Sequence, residues 1–145
     1  MRSRTSDTLK YAQFLARRYN KQDIKTSVLI ILLELGFEPA QEGFSFLRNA
    51  IARHYELTVE SLRLRKFTVI TLYGEDCDAW KSIDQAIRRA IHAAWEEQDN
   101  PKWAMVFPPG RRRSGCPSNK EFIAQVSCVV ELWHDCKEAG YERIR

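Results

Sequence analysis

Apolar residues recur along this chain at spacings of three and four, the period of a helix packed on one side. No stretch alternates apolar and polar long enough to read as a half-buried strand. From Asp7 to Tyr19 the apolar stripe is Leu9, Ala12, Leu15, Ala16 and Tyr19, with Ser6 placed to cap the helix. A second helix is expected over Asp23 to Leu35, stopped by Gly36 in a left-handed conformation. Its run Val28-Leu29-Ile30-Ile31-Leu32-Leu33 resembles a buried strand, but the flanking polar residues extend the segment to helix length. Pro39 and Gly43 mark a loop. Phe44, Leu47, Ala50, Ile51 and Tyr55 then define an amphipathic helix over Phe44 to Tyr55.

A short helical piece is expected over Arg65 to Tyr73, followed by a turn at Gly74-Glu75-Asp76-Cys77-Asp78. The clearest helix runs from Trp80 to about Glu97. Ile83, Ala86, Ile87, Ala90, Ile91 and Ala94 fall on one of its faces, and Lys81, Gln85, Arg88, Arg89 and His92 on the other. Asn100-Pro101 ends it, and residues 101–107 have room for one or two more turns. Pro108 to Gly115, with Pro109, Gly110 and three arginines between, reads as an exposed basic loop. The last helix opens on a capping box, Ser118 to Glu121, and continues to about Ala139, before Gly140. The fold class that follows is all-α.

Composition narrows the function. Hydrophobic residues are 44% and charged residues 29% of 145, the balance of a folded chain with one core. No apolar run is long enough to span a bilayer, and no signal-peptide core follows the basic start, so the expectation is a cytoplasmic protein without membrane contact. Net charge is only +4, but it is unevenly spread. Residues 1–25 carry Arg2, Arg4, Lys10, Arg17, Arg18, Lys21 and Lys25 against Asp7 and Asp23. Residues 100–120 carry Lys102, Arg111, Arg112, Arg113 and Lys120 and no acid. That distribution favours a polyanionic partner.

Cys77, Cys116, Cys128 and Cys136 form no C-x-x-C pair. Cys128, His134 and Cys136 lie close together but match no zinc template, so no metal and no cofactor are expected. The absence of a glycine-rich phosphate loop, a nucleophile motif or a spaced carboxylate pair argues against an enzyme, and His54, His92 and His134 fall on different helices. Trp80, Trp95, Trp103 and Trp133 could stack on single-stranded bases, but their places on apolar faces favour core roles.

Tyr73 to Glu97 has a helix-turn-helix outline, whose second helix must bury one side and offer hydrogen-bonding groups on the other. Gln85 suits adenine, and Arg88 or Arg89 suits the O6 and N7 of guanine. Lys81 and Ser82, in the first turn, suit backbone phosphates, as do Arg111, Arg112 and Arg113 on their loop. Any solvated helix face carries similar residues, so spacing alone does not decide the matter.

Three blocks in order add to this reading. They are Gly43-Phe44-Ser45-Phe46-Leu47-Arg48-Asn49-Ala50-Ile51, preceded by Leu35-Gly36; Ala86-Ile87-Arg88-Arg89-Ala90-Ile91-His92-Ala93-Ala94-Trp95; and Pro117-Ser118-Asn119-Lys120-Glu121-Phe122-Ile123-Ala124. With them, Thr26 to Leu132 resembles the DNA-binding effector domain of the master sporulation response regulator of spore-forming bacteria. The resemblance implies a compact multi-helix domain containing a helix-turn-helix, with the Trp80–Glu97 helix entering the major groove. Where that family's helix carries an arginine, a glutamate and a further arginine, this chain has Ser82, Asp84 and Gln85, while Arg88 matches the next arginine and Arg89 replaces a histidine. The family's effector domain follows a receiver domain, which these residues do not contain. Residues 1–25 are instead expected to form a basic helical extension on an effector-like domain at 26–145. That extra N-terminal helix is expected to pack on the core, to self-associate or to touch DNA.

Two functions are expected from different classes. One is a sequence-specific regulator binding double-stranded DNA, alone, as a homodimer or with a regulatory protein. The other is an interaction module of the same fold that has lost DNA binding and acts as antagonist or partner of a regulator. The acids Glu75, Asp76 and Asp78, which would repel phosphate, favour the second.

Overall fold

The structure, a computed structural model, describes residues 2–19, 23–61, 80–96, 100–108 and 115–138. The described residues form six helices and no strand: α1 (Arg2–Arg18), α2 (Ile24–Glu34), α3 (Glu42–Ser61), α4 (Trp80–Trp95), α5 (Lys102–Val106) and α6 (Asn119–Glu138). The expected piece at 65–73, the turn at 74–78, the arginine loop and Gly140 lie outside these residues.

Local signals account for both ends of α2 and the start of α6. Asp23 caps α2, its side chain accepting the amide of Thr26 at 2.7 Å. At the other end Gly36 takes φ +94°, and the amides of Gly36 and Phe37 reach back to the carbonyls of Leu33 and Leu32. This is a Schellman closure, and it requires a residue without a Cβ at Gly36. The capping box of α6 forms in both directions: Glu121 N–H donates to Ser118 Oγ at 3.1 Å, and Ser118 N–H to Glu121 Oε1 at 3.0 Å.

Two helices outrun their expected bounds. α1 begins at Arg2, so Ser6 lies inside the helix instead of capping it. Nothing in Arg2-Ser3-Arg4-Thr5-Ser6 stops a helix, and a capping-competent side chain does not by itself start one. α3 continues past Tyr55 to Ser61 through residues that contain neither glycine nor proline.

The helices share one core. α3 and α6 pack together, α2 lies against both, and α4 against the same two. α1 packs on α6 and α5, placing Tyr11, Ala12, Leu15 and Ala16 in the core cluster. Trp103 is a hub among Phe37, Trp95, Phe107 and Phe122, and its indole N–H donates to the Leu35 carbonyl at 3.0 Å. Trp133 is fully buried and Trp95 partly so, which places both in packing roles.

Glu34 joins three segments. Its carboxylate accepts the hydroxyls of Tyr11 and Tyr19, and its carbonyl accepts the Asn100 amide at 2.6 Å. Asn100 also accepts the Lys102 amide at 3.0 Å, which starts α5. The sequence neighbours Cys128, His134 and Cys136 do not converge. His134 Nε2 is hydrogen-bonded to the buried Ser27 hydroxyl at 2.8 Å, while Cys128 is exposed. Partial desolvation by neighbouring atoms pushes both thiols up, even at the exposed Cys128, with Glu131 and Asp135 adding to the effect, which keeps them protonated. Among the described residues no three metal-ligating groups come together, and no helix is long and apolar enough to cross a membrane.

Candidate nucleic-acid interface

α4 separates its residues sharply. Ala86, Ile87, Ala90, Ile91 and Ala94 are buried, and Ile83 is partly buried against the core. Lys81, Ser82, Gln85, Arg88, Arg89 and His92 are all exposed. At one hundred degrees per residue these six occupy a stripe about 120° wide, opposite the buried one. From Lys81 to His92 the stripe is about 16 Å long. Each of the six expected residues on this helix therefore stands on a single solvent-facing surface. Arg111, Arg112 and Arg113 lie outside the described residues.

Two neighbours fix the helix from below. α3 begins with its backbone pressed on α4: a Cβ on Gly43 would meet the Ala86 carbonyl closer than real side chains come, and would stand 3.0 Å from the Ile87 nitrogen. Glycine here permits close approach, not an unusual backbone angle. From the other side, Asn119 in the first turn of α6 donates its amide to both the backbone carbonyl and the Oδ1 of Asp84, each at 2.9 Å. Asp84 is only partly exposed, so its carboxylate is engaged below the polar stripe.

Among the described residues, an acid of α3 lies beside the stripe. Glu42, the first residue of α3, accepts Arg89 Nη2 at 3.5 Å, with the two side chains 73% and 65% exposed. The first turn of α4 contains no acid, and Lys81 and Ser82 stand there instead. A cation at that end gains nothing from the helix dipole, whereas an anion placed there would interact with both.

Sequence reading did not find Gly43, Glu42 or Asn119 as residues that shape this surface, and it set Asp84 among the reading positions, where the structure instead binds its side chain to Asn119. Gly43 and Asn119 occur in the matched blocks, but nothing in the linear order pairs them with α4.

No solved structure matches the chain. The family described as "Sporulation initiation factor Spo0A C terminal" matches residues 28–130, from α2 through α4 into α6. α1 precedes the matched region. That family is all-helical, contains a helix-turn-helix and serves as a DNA-binding effector domain, not as an enzyme. A match over well more than half the chain, on a helical frame with an exposed basic face, makes the assignment: this protein belongs to the Spo0A C-terminal family of DNA-binding regulators.

Proposed function

We propose that this regulator reads sequence in the major groove of double-stranded DNA with the exposed face of α4. Gln85, Arg88 and Arg89 address base edges, Gln85 matched to adenine and the arginines to guanine. Lys81, Ser82 and the arginines at 111–113 hold phosphates, and His92 meets the backbone at the far end of the stripe. The helix at 2–18 is an extension on the effector-like domain, and the expected boundary at residue 25 falls inside α2. The observation that supports this reading best is the uninterrupted exposure of all six stripe residues on a helix held rigidly from behind. The groove is about 12 Å wide and admits one such helix.

Selection from random duplexes at several salt concentrations tests the proposal, with the wild type beside Arg88→Ala/Arg89→Ala. The expected result is an enriched consensus that blurs in the variant, each lost bidentate contact costing about 1–3 kcal/mol of discrimination. Affinity should fall steeply with salt. Equal, weak binding by both proteins with no enriched sequence would sink the proposal and favour an interaction module that has lost DNA affinity.

A further inference from the structure

The contact between α6 and α4 bears on how any reading face is aimed. Asn119 stands in the first turn of α6, and its amide spans both acceptors of Asp84 at 2.9 Å. Asp84 sits one residue before Gln85 and four before Arg88. The carbonyl that Asn119 holds belongs to the α4 backbone itself, so the amide grips the main chain as well as a side chain. Two residues further on, Gly43 closes on the Ala86 carbonyl from α3. α4 is thus held near its start by two different helices.

We propose that Asn119 is a positioning residue for DNA reading: it sets the axial rotation and tilt of the first turns of α4, and thereby sequence discrimination. This rests on α4 being the reading helix. Phosphate contacts tolerate small displacements because the attraction is nearly radial, whereas bidentate base contacts fail when donors move by a fraction of an ångström. Loosening this joint should therefore cost discrimination more than bare affinity.

Two variants test the idea in the full chain. Asn119→Ala removes both bonds and leaves the net charge unchanged. The exchange Asn119→Asp/Asp84→Asn also preserves net charge; it restores the side-chain bond with donor and acceptor reversed, but not the bond to the backbone carbonyl at 84, to which a carboxylate cannot donate. Aspartate is welcome in the first turn of α6, so the exchange keeps that helix start favourable.

Each protein is titrated with its selected consensus duplex and with a random duplex, and amide hydrogen exchange is followed without DNA. Asn119→Ala should lower the ratio of consensus to random affinity about tenfold, the loss of roughly one well-made hydrogen bond, with random-duplex affinity within about twofold of wild type. Amides of residues 84–88 should exchange faster while those in the middle of α6 do not, and the exchange variant should recover at least half of both effects. Equal losses on both duplexes, unchanged protection in α4, or no recovery in the exchange variant would overturn the proposal. If wild type shows no preference for any duplex, the reading of α4 as a DNA-reading helix fails instead. The exchange data then decide alone whether Asn119 holds α4.

Discussion

The guanidinium of Arg89 and the carboxylate of Glu42 show how loosely the interface is committed. At 3.5 Å and with both side chains mostly in water, the pair contributes about 0.2–1 kcal/mol at best. A phosphate approaching α4 competes on easy terms. His54 is the opposite case, a residue whose surroundings fix its protonation. It lies 8% exposed on α3, and burial lowers its proton affinity below that of a free histidine. The unfolded chain then takes up a proton near the ordinary value of about 6.5, while the folded chain resists it. Stability from this residue is therefore full above that pH and drains away as pH falls through the window below it. Melting curves should show it. Wild type should lose stability as pH falls below about 6.5, whereas His54→Gln, which does not titrate, should lack this part of the slope. Parallel pH profiles for the two proteins would contradict the assignment.

At the scale of elements, the seam between α3 and α4 is decided by a single missing methyl. Gly43→Ala offers a helix-propensity gain of at most about 1 kcal/mol near the end of a helix. Against it stands a contact with the Ala86 backbone, which has no flexible side chain to swing away. Overpacking of this kind costs about 1–3 kcal/mol, so the clash should win. The expected outcome is a lower melting temperature, with faster amide exchange concentrated at the start of α3 and in α4. A variant as stable as wild type would mean that the two helices are not in close contact. No sequence signal forecast this seam, because Gly43 looked like part of a loop after Pro39. Local grammar was legible: the Gly36 closure, the Ser118–Glu121 box and the two-faced pattern of α4 each need residues only three or four apart. The Asn119–Asp84 bond joins residues thirty-five apart, and periodicity carries no information on such a pairing. α1 failed locally as well. Ser6 has a capping side chain but lies within α1, because the residues before it continue the helix.

Across the whole molecule, the consequential placement is that of α1. The sequence allowed it to cover the core, to self-associate or to reach for DNA, and its basic residues kept all three open. Its buried stripe settles the packing: Leu15 is fully enclosed, Thr8 donates its hydroxyl to the Met105 carbonyl at 3.0 Å, and the Tyr11 and Tyr19 hydroxyls meet at Glu34. α1 packs against α6 and α5, while the polar stripe of α4 stays open. An integral α1 and a detachable DNA-binding arm have opposite consequences for a core substitution. Leu15→Ala should cost about 2–5 kcal/mol, a large share of the roughly 5–15 kcal/mol that holds a typical domain folded. Denaturant unfolding of this variant should therefore shift as one transition, with its midpoint lowered across every probe. At a temperature where the variant remains folded, its affinity for DNA should equal that of wild type. An arm would give the reverse pattern, an unchanged midpoint and weakened binding, since losing Leu15 would then disturb only a helix that touches phosphate.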